Sequence, residues 1–379
     1  MPTIGFIYGT RPELIKIAPV VNALRDIHRV KLISTGQHQE LLHSLYDWFE
    51  LGGYPDLDLE VMRASQTPGE VISAILSGLE DKLAGLDLVI VQGDTASAMA
   101  GALGAFLHKI PVAHLEAGLR TNDRYSPFPE EIFRRQVSQL ATYHFTPTQR
   151  ATANLASEGI KDQVYCIGNS VIDALKFSLD KLSRLRQNDP DSLTKKLNLP
   201  FELRELEDKR LLLVTMHRRE NLGGAHAEVA AALAEMVREY DDLLLVFPVH
   251  PNPQVRQSIE PALKGLERVK LIDPVNYVAM CYLLDRAYML ATDSGGLQEE
   301  ATSLGKPTLI LRNTTERPEA VESGVCTLVG TDREKIKLEL KKLFDDEVYY
   351  RQKNRPSLIF GDGLSCVRMV EFLNCLNLI

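Results

Sequence analysis

The chain has 379 residues, enough for two domains that each bury a core. Its 45% hydrophobic and 25% charged residues are the balance of an ordinary globular protein rather than a disordered or fibrous one. A formal net charge of −8 speaks against general nucleic-acid binding, which needs a basic face, but a local cluster of Arg and Lys can still receive an anion.

Cys166, Cys281, Cys326, Cys366 and Cys375 are scattered and form no C-x-x-C pair. Neither a zinc knuckle nor a disulfide framework is expected, and the thiols read as reduced. No apolar run reaches the roughly 18 residues of a membrane span, and the first residues lack a signal-peptide pattern. A cytoplasmic protein without a membrane segment is expected.

Residues 4–8 are an apolar strand-type run, followed by Gly9-Thr10-Arg11-Pro12-Glu13-Leu14-Ile15-Lys16. Thr10 can cap a helix, and Pro12 suits a first turn, where its missing amide costs nothing. Arg11 and Lys16 add charge to the positive end of that helix. The segment has neither G-x-G-x-x-G nor a P-loop Gly-Lys-Ser/Thr, so no motif supports NAD binding or ATP hydrolysis. A strand at 30–35 then leads to Gln37-His38-Gln39-Glu40, where Gln37 and His38 are candidates to read a sugar or a second ligand.

Further strands are expected at 86–92, 112–116 and 143–147, with amphipathic stretches at 12–24, 39–49, 68–83 and 95–109. The alternation is that of a doubly wound parallel sheet. Four carboxylates stand out along it. Asp94, in Gly93-Asp94-Thr95, reads equally as a helix cap. Glu116 ends an apolar strand, where a carboxylate is costly unless paired or bound to a ligand. Glu130 and Glu131 open a helix after Pro127-Phe128-Pro129, and one of the two can simply serve the helix dipole. Carboxylates sharing one site separate in pKa, which general acid–base chemistry near neutral pH requires.

Residues 180–210 are polar and highly charged, and a second alternating series follows at 211–216, 243–249, 269–272, 288–292, 308–311 and 327–329. His217 ends the first of these strands, and Arg218 and Arg219 beside it suit an anionic leaving group. His250, before Pro251, fits a phosphate contact or a fixed turn equally. After the strand at 288–292 comes Asp293-Ser294-Gly295-Gly296-Leu297-Gln298-Glu299-Glu300. Gly295 and Gly296 let a ligand approach the backbone, and the free amides of the helix start favour phosphate. One turn on, Glu299 and Glu300 can accept hydrogen bonds from sugar hydroxyls, so the cradle suits a nucleotide with its ribose. Arg312 and Arg317 bring two cations towards it. The histidines lack metal-site spacing, so no metal is expected. The reading is an α/β protein of two Rossmann-like domains, residues 1–170 with 363–379 and residues 171–362, with the ligand in the cleft between them.

Taken together, nine motifs are recognisable in order: Gly-Thr-Arg-Pro-Glu-x-Ile-Lys, Gly-Gln-His, Gly-Asp-Thr, His-x-Glu-Ala-Gly-Leu-Arg-Thr, Pro-Glu-Glu, His-Arg-Arg-Glu-Asn, Pro-Val-His-x-Asn-Pro, Thr-Asp-Ser-Gly-Gly-x-Gln-Glu-Glu and Thr-Thr-Glu-Arg-Pro-Glu. The chain resembles the non-hydrolysing UDP-N-acetylglucosamine 2-epimerases over about residues 4–363. Each motif is weak alone; nine in register are specific. The resemblance implies a glycosyltransferase-B-type pair of Rossmann-like domains, a homodimer, and interconversion of UDP-GlcNAc and UDP-ManNAc with no cofactor or metal, feeding cell-surface polysaccharide or related sugars. By motif, Asp94, Glu116, Glu130 and His217 match the family's catalytic residues. Arg11, Lys16, Ser294, Gly295, Glu300 and Arg317 match its nucleotide contacts, with Gly296, Arg218 and His250 beside them. Some bacterial members bind a second UDP-GlcNAc as activator, and Gln37 and His38 match part of that site. One departure is Phe133, which stands where the family shows Asn after Pro-Glu-Glu. Competing readings are the same chemistry on another UDP-2-acetamido sugar, a hydrolysing epimerase, and a retaining glycosyltransferase.

Overall fold

The computed structural model describes residues 1–36, 39–63, 65–216 and 224–375. The chain divides into two compact units, Met1–Ala174 with Gly361–Ile379, and Leu175–Phe360.

The first unit carries strands β1 (Thr3–Tyr8), β2 (Arg29–Ser34), β3 (Leu57–Asp58), β4 (Leu88–Gln92), β5 (Val112–Leu115), β6 (Tyr143–Thr146) and β7 (Val164–Cys166), in the order β3-β2-β1-β4-β5-β6-β7. The second carries β8 (Arg210–Thr215), β9 (Leu243–Pro248), β10 (Val269–Ile272), β11 (Met289–Thr292), β12 (Thr308–Ile310) and β13 (Cys326–Leu328), in the order β10-β9-β8-β11-β12-β13. Every recorded pairing in both sheets is parallel. Central strands such as β4 and β9 are buried at every residue. Helices cover both faces of a parallel sheet, so its strands read as unbroken apolar runs rather than alternating ones.

Strands β3 and β7 were not expected. They have two and three residues, are only half-buried for the most part, and sit at the two edges of their sheet. So short a segment has no room for a hydrophobic period. The charged stretch 180–210 is mostly helical, with helices Ser170–Asn188 and Pro190–Leu197 and a 3₁₀ turn at Leu203–Leu206.

In each sheet the chain order reverses at the first strand. Strand β1 pairs with β2 on one side and β4 on the other, and β8 sits likewise between β9 and β11. Loops leaving neighbouring strands diverge at such a switch point and leave a crevice at the carboxyl ends, the usual ligand position in open α/β sheets. The motifs that follow β1, β4 and β11 therefore occupy the places where this architecture puts chemistry.

Among the described residues no helix is long and apolar enough to cross a membrane. No group of metal-ligating side chains is found among them either. All five cysteines are free thiols; Cys281, Cys326 and Cys366 are buried, Cys166 and Cys375 exposed.

Candidate active site

The first unit gathers its carboxylates around Glu116, just past β5. Its backbone is left-handed, with φ of 65°, a conformation that costs a non-glycine residue about 1–3 kcal/mol. The turn aims the carboxylate back at its neighbours. Lys16 Nζ donates to both oxygens, at 2.8 and 2.6 Å. Gln92 Nε2, at the end of β4, donates to Oε2 at 2.5 Å, and Asn169 Nδ2 donates to Oε1 at 3.0 Å. Lys16, which the sequence suggested as a phosphate contact, is thus seated on the carboxylate.

Asp94 lies one residue past Gly93, at which an added Cβ would stand 3.6 Å from Glu116 Oε2. The two acids therefore share one corner of the unit. Asp94 accepts from Arg134 Nε at 2.8 Å and also pairs with Arg134 Nη2. Arg134 lies one turn into helix Glu130–Leu140, and so brings the start of that helix to Asp94. The two glutamates that open the helix differ. Glu131 is fully buried and accepts from Thr121 N at 3.0 Å and Arg135 Nε at 3.0 Å, a structural assignment. Glu130 Oε2 is buried with no hydrogen-bond partner among the described residues. Such an oxygen costs stability unless a ligand uses it. Phe133, the departure from the family pattern, packs on the apolar core of the unit. It makes that helix face hydrophobic rather than ligand-reading.

A buried acid ties these loops together. Glu13 Oε2 accepts from Gly9 N at 3.1 Å, Thr10 N at 2.7 Å and Thr10 Oγ1 at 2.7 Å, while Oε1 accepts from Thr95 Oγ1 at 2.6 Å. Thr95 itself caps helix Ala96–Leu107 through Ala98 N. Glu13 therefore fixes the loop that carries Arg11 to the turn that carries Asp94. Burial raises its pKa against the four hydrogen bonds that lower it. Arg11 is half-buried at the start of its helix.

The second unit holds the phosphate-type cradle. Ser294 precedes helix Gly295–Leu304 and puts no side-chain cap on it, so the first amides remain for another acceptor. Among the described residues a Cβ on Gly295 would meet only Arg317 Cζ, at 4.0 Å, and one on Gly296 would meet nothing within 4 Å. Packing among the described residues requires neither glycine, and neither has a positive φ. What they preserve is open space above the helix start. Arg317 is buried, paired with Glu299, and reaches Glu316 at 3.8 Å. Its loop is pinned by Thr315, whose Oγ1 donates to Gln298 Oε1 at 2.7 Å and accepts from Arg317 N at 3.0 Å. Glu300 is buried one turn along the same helix. His250 is exposed, and its Nδ1 takes the Asn252 amide at 3.2 Å, a turn contact. Gln37, His38, His217 and Arg218 lie outside the described residues.

The pattern of the UDP-N-acetylglucosamine 2-epimerase family matches residues 22–374. The chain belongs to that family. A UDP-N-acetylglucosamine 2-epimerase of Yersinia pestis is 43% identical over 373 residues, covering 97% of each chain. One of Escherichia coli K12 is 43% identical over 374 residues with the same coverage. Among solved structures, the UDP-GlcNAc 2-epimerase of Neisseria meningitidis bound to UDP-GlcNAc has a TM-score of 0.89 and 39% identity, covering 99% of this chain and 100% of that one.

Within this epimerase family member, several site residues escaped sequence reasoning. Gln92 was readable as a polar residue closing an apolar strand, the same signal that picked out Glu116. Arg134 and Asn169 were not, because their partners lie 40 and 53 residues away. His114 is fully buried in β5, with Nε2 2.8 Å from the Gly93 carbonyl oxygen. It braces the turn before Asp94 as a neutral ring that donates to that carbonyl.

Burial pushes His114 down to about 3 and His144 down to about 4. Both are lowered on folding, so the stability they supply is present above about pH 6.5 and is lost as the pH falls towards those values. At pH 5 the loss from His114 alone reaches about 2 kcal/mol. Thermal unfolding should show a lower Tm at pH 5 than at pH 7, and His114→Asn should flatten that dependence. An unchanged slope in the variant would remove His114 as a source.

Proposed function

We propose that this protein is a non-hydrolysing UDP-GlcNAc 2-epimerase that interconverts UDP-GlcNAc and UDP-ManNAc. The observation that carries the reading is the trio Asp94, Glu116 and Glu130, in which two acids are held by cations and the third keeps a buried oxygen that has no partner among the described residues. Relatives named as UDP-N-acetylglucosamine 2-epimerases support it.

The C2 proton beside an acetamido group is weakly acidic, so its removal must be coupled to departure of a good leaving group. A carboxylate takes the C2 proton, the C2–H electron pair forms the C1–C2 double bond, and the C1–O bond breaks to release UDP. The products are a 2-acetamidoglucal and UDP. In the reverse sense UDP re-adds at C1, and a proton is delivered to the other face of C2. Glu130 is assigned the first proton acceptor, because among the described residues its Oε2 has no hydrogen-bond partner. Glu116 and Asp94, held by Lys16 and Arg134, serve proton return and orientation of the sugar. The helix start at Ser294-Gly295 with Arg317 takes the diphosphate, whose developing charge its amides and guanidinium stabilise. Glu300 binds the ribose. Arg11, Gly296, Arg218 and His250 contribute to nucleotide binding, His217 completes the catalytic set, and Gln37 and His38 contribute to substrate binding. The enzyme acts as a cytoplasmic homodimer whose product feeds cell-surface polysaccharide or related sugar biosynthesis.

The test is incubation of the purified protein with UDP-GlcNAc, followed by NMR of the anomeric protons. The reading predicts UDP-ManNAc at equilibrium with UDP-GlcNAc and no net accumulation of UDP. Free ManNAc with stoichiometric UDP would make the enzyme hydrolytic, and transfer to an added acceptor would make it a glycosyltransferase.

A further inference from the structure

Asn169 stands where the two passages of the chain between its units come together. It immediately precedes helix Ser170–Asn188, along which the chain leaves the first unit after Ala174. It also lies against Gly361, the residue at which the chain re-enters that unit. A Cβ on Gly361, whose φ is +124°, would stand 3.3 Å from both Asn169 N and Gly168 Cα. The Asn169 side chain is buried and faces two ways. Its Oδ1 accepts from Val171 N at 3.1 Å, closing the start of the helix, and its Nδ2 donates to Glu116 Oε1 at 3.0 Å.

We infer that Asn169 is a positioning residue for the epimerase reaction, holding the Glu116 carboxylate in register with the two chain segments that join the units. The inference rests on the proposed role of Glu116. Lys16 and Gln92 grip the carboxylate from β1 and β4, through the helix after β1 and the end of β4 itself. Of these three donors among the described residues, Asn169 is the one that directly precedes the helix along which the chain leaves the unit. A shift of the helix start therefore withdraws a hydrogen bond from Glu116, and a donor lost from a carboxylate raises its pKa. The chemistry is thereby made sensitive to the position of the crossover without any contact between Asn169 and substrate being needed.

Asn169→Asp keeps an acceptor for the helix start but replaces the donor with a like charge beside Glu116. The inference predicts a kcat lowered by about 10–100-fold and one limb of the kcat–pH profile moved upward by about one unit. The direction is the same whether Glu116 works as base or as acid. Asn169→Ser keeps the cap, loses the reach to Glu116 and adds no charge, so kcat should fall with a smaller upward shift of the limb than in Asn169→Asp. UDP affinity, carried by the Ser294–Gly295 helix start and Arg317, should remain within about threefold in both. Parental kcat and pH profile in Asn169→Asp would overturn the inference. So would losses in both variants that track only the folded fraction measured by thermal unfolding. Glu116→Gln separates the two levels: if it still turns over, the role of Glu116 fails, whereas an inactive Glu116→Gln beside an unaffected Asn169→Asp condemns Asn169 alone.

Discussion

Glu116→Gln is expected to lower kcat by about 10²–10⁴-fold, the range for loss of a positioned acid–base group, with UDP affinity nearly unchanged. The charge removed is the one that Lys16 holds from two sides, at 2.8 and 2.6 Å, and the amide cannot accept or return a proton. Gln92 and Asn169 would face a neutral amide in the same place, so the local fold should survive. Asp94→Asn should act in the same direction and leave the Arg134 guanidinium under-neutralised at the head of helix Glu130–Leu140. Glu130→Gln should differ. It removes the buried oxygen that has no partner among the described residues, so it should cost activity to a similar degree while leaving the protein as stable or more so. Steady-state kinetics, UDP titration and thermal unfolding on the three variants check all of this. Near-normal kcat in all three would refute the carboxylate mechanism.

Gly295→Ala should separate stability from binding in the opposite unit. Among the described residues the only atom near the new methyl would be Arg317 Cζ, at 4.0 Å, and replacing glycine by alanine at a compatible backbone conformation stabilises by about 0.4–1 kcal/mol. The variant should therefore fold at least as well as the parent. UDP affinity should nevertheless fall by about 10–100-fold, because the methyl occupies the approach to the helix-start amides on which a diphosphate depends. Isothermal titration and thermal unfolding decide the matter together. Unchanged UDP affinity would mean that the diphosphate lies elsewhere.

The fold was open to sequence reasoning because parallel strands buried on both faces leave unbroken apolar runs, as in β4 and β9. The edge strands β3 and β7 were hidden for the converse reason, having too few residues and too little burial to leave a pattern. The candidate site was legible where a polar residue ended an apolar run, as at Glu116 and Asp94, or where a glycine pair opened a helix, as at Gly295. It was illegible where a role depends on a distant partner. Nothing near Asn169 announces Glu116, and the difference between Glu130 and Glu131 arises only when Thr121 and Arg135 settle on the second of them. Glu13 shows a mixed case. Its capping box with Thr10 is a local signal, but its bond to Thr95, which joins two loops of the site, is not.

The central claim is that side chains of this protein remove and return the proton at C2 of the sugar. Running the reaction in deuterated buffer and following the C2 position by NMR and mass spectrometry tests it most directly. One solvent deuterium should enter C2 of UDP-ManNAc and, as the reaction reverses, of the remaining UDP-GlcNAc, with exchange lost in Glu116→Gln and Asp94→Asn. Formation of UDP-ManNAc that retains the original C2 hydrogen would contradict the account, since inversion would then proceed without an exchangeable proton.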